Sequence, residues 1–383
     1  MNNDLFYKGS FGLERETLRV DSSGRLAQTP HPFADSENIT RDFCENQIEL
    51  ITPVCKSVGE VMTELEKLDR RVSEELAKNG ERLWLYSNPP YFESENEIPV
   101  ADFTGEHSGK RRYRDLLERR YGKRLMLFSG IHFNFSFDEE YLKTLYSGDN
   151  FEGWRNEYYL RLYKQLSVHS WLPLLLTAAS PIYDRSLDTE GGHGCTVSRY
   201  GSMRSSERGY WNDFLPVLRY DSLEDHIGSI REYVDKGLLF SASELYLPVR
   251  LKPRGVNSIE SFKNGISHIE LRMFDLEPSK PLGIDENDLE FAHYLIMYLS
   301  AKEDFEYTPE MQEQAVRDHK NAALLDLEGV SIGGVPIRKR AEQILDDIAE
   351  FLDDAHVREI IAYEKQKLNN RPCERILNQK ICG

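Results

Sequence analysis

Gly130-Ile131-His132-Phe133-Asn134-Phe135-Ser136-Phe137 alternates strictly, with Ile131, Phe133, Phe135 and Phe137 on one side and His132, Asn134 and Ser136 on the other. Side chains of an extended chain point to alternate faces, so a period of two predicts a strand with one greasy and one wet face. The split recurs as Leu245, Leu247, Val249 and Leu251 against Tyr246, Pro248, Arg250 and Lys252. It returns as Ile269, Leu271 and Met273 against His268, Glu270 and Arg272. Pro248 has no amide proton for a ladder and predicts an edge or a bulge. Half-wet strands suit an antiparallel sheet covered by helices on one face, not a parallel sheet buried on both. The expected class is α+β. The wet faces concentrate His, Glu, Arg and Lys, which marks them as an active-site floor rather than an ordinary solvated surface.

Helices are predicted around these strands. Ser57 with Glu60 forms a capping box, followed at helical spacing by Val58, Val61, Leu65, Leu68, Val72 and Leu76 until Asn79-Gly80 stops the run. Further helices are expected near 154–178, 222–236, 286–301 and 336–368. No repeat, low-complexity tract or linker divides the sequence, so residues 1–383 are read as one domain.

Composition narrows the function. The chain has 383 residues, 40% hydrophobic, enough for a sizeable core. Its longest apolar run, Leu172–Leu176, is too short to cross a bilayer, and Met1-Asn2-Asn3-Asp4 is no signal peptide, which places the chain in the cytoplasm. A formal charge of −17 repels nucleic acid. The basic segment Lys110-Arg111-Arg112, Arg114, Arg119, Arg120, Lys123, Arg124 reads mostly as a solvated helix face. Five cysteines (Cys44, Cys55, Cys195, Cys373, Cys382) show no metal spacing and read as reduced thiols, although Cys373 and Cys382 are close in sequence. No obligate protein partner is evident.

Two segments concentrate acids. In a strand over Gly12–Val20, Glu14 and Glu16 share a face at about 7 Å. That spacing admits neighbouring cation ligands or a solvated pair, and the commonness of E-x-E favours the solvated pair. In Arg41–Pro53, Glu49 sits among Ile48, Leu50 and Ile51, either at an edge or held by a partner. Glu14, Glu16, Asp42, Glu49 and Glu270, with His132 as nitrogen donor, form a candidate ligand set. If they converge, carboxylates 5 Å apart repel by about 3 kcal/mol per pair at an effective dielectric of 20, which demands cations. Hard oxygen donors suit Mg²⁺ or Mn²⁺. Arg204, Arg250, Lys252, Arg272 and Arg114 are candidate phosphate partners, each equally readable as a surface cation. Phosphate-binding glycine loops, nucleophile elbows and zinc helices are absent from the sequence, and Gly191-Gly192-His193-Gly194 reads as a mobile loop.

These segments together resemble the bacterial type of glutamate–cysteine ligase (γ-glutamylcysteine synthetase), in the glutamine-synthetase-like superfamily. The resemblance runs through Phe11–Val20, Asp42-Phe43 to Pro53, Ser129–Phe135, Ala179-Ser180-Pro181, Ser202-Met203-Arg204 to Gly209-Tyr210, Glu244–Arg250 and Ile269–Arg272. It implies a curved antiparallel sheet forming a funnel-shaped active site, with helices on the outer face. It implies an ATP- and Mg²⁺-dependent ligase that makes γ-glutamylcysteine from glutamate and cysteine through γ-glutamyl phosphate, the first step of glutathione biosynthesis.

By position, Glu16, Asp42 and Glu49 would hold one Mg²⁺, and Glu14, His132 and Glu270 a second, with a third ion sharing some of these acids. Arg204 and Arg272 would face the substrate carboxylate or transferred phosphoryl, Arg114, Asn134, Arg250 and Lys252 would serve ATP, and Asp42 or Glu49 would be the base. Phe43, Tyr113, Tyr210 and Tyr246 would shape the cysteine pocket. The chain is shorter than typical members after Glu270 and about two residues tighter before Tyr113, and it carries no second ATP-dependent ligase domain. A ligase of this fold using another amine, and a catalytically silent glutamate or nucleotide binder, are the alternatives.

Overall fold

The computed structural model describes residues 3–33, 36–103 and 108–378. Its main sheet has seven strands: β1 Gly9–Val20, β2 Ile39–Arg41, β3 Gln47–Ile51, β4 Arg82–Trp84, β5 Ile131–Phe137, β6 Val249–Pro253 and β7 Ile266–Phe274. They run β2-β3-β1-β5-β7-β6, with β4 beside the end of β1 that β5 leaves uncovered. Every pairing is antiparallel.

The period of two sorts the side chains as predicted. Leu13, Ile48, Leu50, Ile131, Phe133, Phe135, Val249, Leu251, Ile269 and Leu271 all belong to one buried apolar cluster. Helices Val58–Ala77, Phe151–His169, Trp171–Thr177 and Glu286–Ser300 complete that layer. His293 of the last helix meets Phe11 and Phe135 with ring centroids 4.9 and 5.0 Å apart. Ser57 caps Val58–Ala77 by accepting from the Glu60 amide at 3.2 Å, while the Glu60 carboxylate reaches back to the Lys56 amide at 2.8 Å.

Several boundaries differ from the sequence reading. Leu245 and Leu247 precede β6 rather than lie in it, because Arg250 Nη2 takes the Ser243 and Leu245 carbonyls at 3.1 and 2.8 Å and removes them from a ladder. The edge that Pro248 predicts is real, and the β6–β7 register slips at Lys252/Pro253. The helix expected over 154–178 is two, broken at Ser170. The one expected over 336–368 is also two, because Asp353 adopts a left-handed φ of 44° and Asp354 caps the next helix. Pro309–Ala322, capped by Thr308, was legible as Thr-Pro but not read as a helix.

The basic segment is not simply a solvated face. It forms helix Ser108–Tyr121 and the turn that follows, and Arg114, Arg120 and Arg124 bond backbone carbonyls of other segments. Gly191–Gly194 joins the exposed ribbon Ile182–Asp184/Cys195–Val197, with His193 placed 4.8 Å from the Tyr91 ring. Cys44, Cys55 and Cys373 are buried thiols, and the Cys373–Cys382 approach lies outside the described residues. No helix among the described residues is long and apolar enough to cross a membrane.

Beneath β1, two arginines are buried as ions: Arg15 pairs with Asp69, and Arg19 with Glu81 at 2.7 Å. Arg19 Nη2 also donates to the Thr29 and Glu45 carbonyls at 2.7 and 2.9 Å. Removing one partner of a buried pair leaves the other charge uncompensated. Glu81→Ala should therefore cost about 3–5 kcal/mol in urea unfolding; a loss below about 1 kcal/mol would mean that Arg19 is satisfied by its carbonyls alone.

Candidate active site

The sheet register assembles the charged residues. Glu14 stands opposite His132, Glu16 opposite Glu49, and Glu270 lies between Asn134 on one neighbour and Arg250 on the other. Five adjacent strands thus contribute the wet residues that the alternation predicts. Most of them line a cleft of about 200 Å³ that opens to solvent. Glu14, Glu16, Asp42, Glu49, His132, Arg250, Lys252 and Arg272 border it on one side. Phe43, Tyr113, Arg114, Tyr210 and Tyr246 close the other. The solvated reading of Glu14 and Glu16 is overturned, because folding brings both into this cleft.

Glu270 lies at the floor, fully buried. Lys252 Nζ approaches its Oε1 at 3.0 Å, Arg272 donates to Oε2 at 3.1 Å, and Arg250 lies 3.7 Å away. Burial raises its proton affinity, but Lys252, Arg272 and Arg250 overcome that and hold it well below the usual carboxylate range. Glu14 is also held low. Burial and Glu270 push it up, and the His132 hydrogen bond with the Lys252 charge prevails.

His132 is pushed down to about 4 by burial and by Arg272, so its ring is neutral near pH 7. Its Nε2 lies 3.2 Å from Arg204 Nη2, and its Nδ1 lies 3.1 Å from Glu14 Oε2 and 3.4 Å from Arg272 Nη1.

The second acid group is less compensated. Glu16 is pushed up to about 8 by burial and by Asp42, against Arg204 and Arg272. Asp42 is raised chiefly by burial, and Glu49 well above its ordinary value by burial and then by Asp42, Glu14 and Glu16. Acids in this state need a cation.

The donor atoms of Glu14, His132 and Glu270 lie within 4.8 Å of one another, a spacing one metal ion can span. Asn134 donates to Glu14 Oε1 at 3.2 Å, and its own Oδ1 is buried with no hydrogen-bond partner among the described residues. Oxygen donors, one neutral imidazole and an unused amide oxygen fit a hard divalent cation. Glu16, Asp42 and Glu49 face the same cleft without converging as tightly among the described residues.

Known proteins identify the family. The glutamate–cysteine ligase family model matches residues 1–240 and 231–322. The chain belongs to the glutamate–cysteine ligase family. It is 30% identical to the glutamate–cysteine ligase of Clostridium acetobutylicum, over 99% of this chain and 92% of that protein. It is 35% identical to the glutathione biosynthesis bifunctional protein of Clostridium perfringens, over 96% of this chain and 51% of that protein. The crystal structure of a bifunctional glutathione synthetase from Pasteurella multocida superposes with a TM-score of 0.86 at 28% identity, covering 98% of this chain and 50% of that one. The chain thus spans about half the length of the bifunctional relatives that it matches.

Arg114 and Arg250 do more than line the cleft, and Arg204 lies beside it rather than in its lining. Arg114 donates to the Asp42 and Arg41 carbonyls and so fixes the loop that carries Asp42. Arg250 holds the turn before Tyr246. Arg204 donates to the Arg272 carbonyl at 2.7 Å and stands between the cleft and a smaller chamber lined by Trp211 and His319. The sequence reading missed Leu117 and Ser243 on the cleft wall. Leu117 was findable, one helical turn after Tyr113; Ser243 carried no signal.

Gly130 makes room for Arg204. A Cβ there would lie 2.3 Å from Arg204 Cζ. Gly130→Ala should displace the guanidinium from His132 and lower turnover by about 10²-fold with an unchanged circular dichroism spectrum. Full turnover in this variant would show that the reaction does not need the guanidinium where it lies.

Proposed function

We propose that this chain is an ATP- and Mg²⁺-dependent ligase that activates the side-chain carboxylate of glutamate as γ-glutamyl phosphate and joins it to the amine of cysteine. This would be the first step of glutathione biosynthesis, carried out in the cytoplasm by residues 1–383 as one catalytic unit. The observation that carries the reading is the shared cleft: two acid groups and the strand cations Arg250, Lys252 and Arg272 meet there, opposite a wall of phenols. The name of the Clostridium acetobutylicum relative, matched along nearly its whole length, supports glutamate and cysteine as substrates.

The chemistry follows from the donor set. A carboxylate resists attack by an amine, and transfer of a phosphoryl group to it creates a leaving group. Arg250 and Lys252 would meet ATP phosphates, with Asn134 beside them. Arg204 and Arg272 would offset charge on the transferred phosphoryl or orient glutamate. Glu14, His132 and Glu270 would hold one Mg²⁺, and Glu16, Asp42 and Glu49 another. Bound there, Mg²⁺ or Mn²⁺ supplies positive charge against the polyphosphate. Phe43, Tyr113, Tyr210 and Tyr246 form the acceptor side, and Arg114 acts by holding Asp42. Asp42 or Glu49, through a carboxylate oxygen not engaged by metal, would take the proton from the acceptor ammonium.

A panel of amines with purified protein, glutamate, ATP and Mg²⁺, read by phosphate release and product mass, tests this. Cysteine should give γ-glutamylcysteine with one phosphate per product. A product from another amine and none from cysteine would reassign the acceptor, whereas ATP binding without turnover on any amine would make the chain a binding protein. Glu14→Gln and Glu270→Gln should abolish turnover and weaken Mn²⁺ binding, seen by electron paramagnetic resonance, in folded protein. Near-normal behaviour of either variant would remove that residue from the metal site.

A further inference from the structure

Behind the phenolic wall lies a polar network that reaches the cleft lining only through Tyr246. Glu244 is fully buried, in the turn Ala242–Glu244 just ahead of Tyr246. Its Oε1 accepts from Arg120 at 2.6 Å and from the Tyr121 hydroxyl at 2.7 Å, and its Oε2 accepts from the Phe240 amide. Arg120 also donates to the Leu238 and Gly237 carbonyls, both at 2.8 Å, and lies over the Phe240 ring at 3.8 Å.

Asn212 completes the network. Its amide donates to the Tyr121 hydroxyl at 3.1 Å and to the Glu244 carbonyl at 2.7 Å, while its oxygen accepts from the Tyr246 amide at 3.0 Å. The consequence is topological. Arg120 and Tyr121 end the helix whose earlier turns carry Tyr113 and Arg114. Asn212 follows Tyr210 by two residues, and Glu244 precedes Tyr246 by two. Three segments far apart in sequence, each presenting one tyrosine to the cleft, are therefore fastened together by one buried carboxylate and one amide. Tyr246 packs against the Tyr210 ring at 4.2 Å on the cleft side and against the Tyr121 ring of the network at 5.6 Å between centroids.

The metal and phosphate side is built differently. Apart from Asp42 and Arg204, its residues stand on β1, β3, β5, β6 and β7, whose positions the sheet ladder fixes. The acceptor wall has no ladder, because its three segments are a helix end, a loop and a turn. Its shape therefore depends on this network.

We propose that Glu244, with Arg120, Tyr121 and Asn212, is a latch of positioning residues that sets the geometry of the acceptor pocket independently of the glutamate-activating half of the site. This rests on the ligase reading above. The latch touches no substrate and acts through Tyr113, Tyr210 and Tyr246, so loosening it alters recognition of the amine while leaving carboxylate activation intact.

Glu244→Gln places an amide donor against donors, Asn212→Ala cuts the link to Tyr246, and Tyr121→Phe removes one hydroxyl but keeps the ring. Each would be compared with the full-length wild type in two activity measurements. The first is the KM for cysteine, glutamate and ATP. The second is glutamate-dependent ADP release without acceptor. There the α-amine of γ-glutamyl phosphate attacks its own acyl carbon, the new N–C bond closes a five-membered lactam, phosphate leaves and the ammonium proton passes to buffer.

The cysteine KM should rise about tenfold in Glu244→Gln and Asn212→Ala and about threefold in Tyr121→Phe. Glutamate and ATP KM values and acceptor-free ADP release should stay within about twofold. Amide hydrogen exchange gives a readout free of turnover: the Phe240 and Tyr246 amides should exchange faster in Asn212→Ala while β5 and β7 keep their protection. Parallel changes in all three KM values, an unchanged cysteine KM in folded variants, or unaltered exchange at 240 and 246 would each overturn the latch. If the wild type shows no ADP release with any amine, the ligase reading fails by itself, and exchange still decides whether the latch exists.

Discussion

Glu270 is a fully buried carboxylate that stays ionised only because Lys252, Arg272 and Arg250 surround it. Two of those cations stand on β6 and the third on β7 itself, so pairing the edge strand is what makes the acid tolerable. The same constraint extends across the sheet. Glu14 leans on Lys252 and His132, His132 on Arg204, and Arg204 on the Arg272 carbonyl and on the space that Gly130 leaves. Removing any link leaves a charge or a donor stranded where water is scarce, and the cost is that of burying an unpaired ion rather than of losing one surface contact.

Compensation is uneven, and the unevenness has chemical content. Around Glu270 the cations belong to the chain. Around Glu16, Asp42 and Glu49 they do not suffice, and the acids retain protons at higher pH than usual. A site that gathers more negative charge than its own side chains can offset is poised for a cationic visitor, and a polyphosphate accompanied by metal ions brings the cations that the acids lack.

Much of this was legible in the sequence because a strand's period is rigid. The alternation of Ile131–Phe137 and Ile269–Met273 placed His132, Asn134, Glu270 and Arg272 on one face without knowledge of their partners, and the family resemblance then named the acids. What stayed illegible had no period. Register between strands, which sets Glu14 against His132 and Glu16 against Glu49, comes from tertiary pairing. Spacing therefore misjudged the E-x-E pair, which alone looks like any solvated surface. The roles of Arg114 and Arg120 were hidden likewise: a run of basic residues on a helix reads as solvated until the carbonyls it reaches are known. Helix breaks at Ser170 and Asp353 passed unnoticed because both lie inside continuous apolar patterns.

The strict alternation along β5 and β7 also bears on how this architecture can change over generations. Core and chemistry are interleaved residue by residue on the same strands, Phe133 beside His132 and Leu271 beside Glu270. Inserting or deleting a single residue there would turn the phenylalanines toward the cleft and the ligands into the apolar layer. Length variation is therefore disfavoured in these strands and easier in the tyrosine wall, where a helix end, a loop and a turn can absorb it. Divergence in what such a protein acts on has an open route on that side, while the charged floor leaves little room for it.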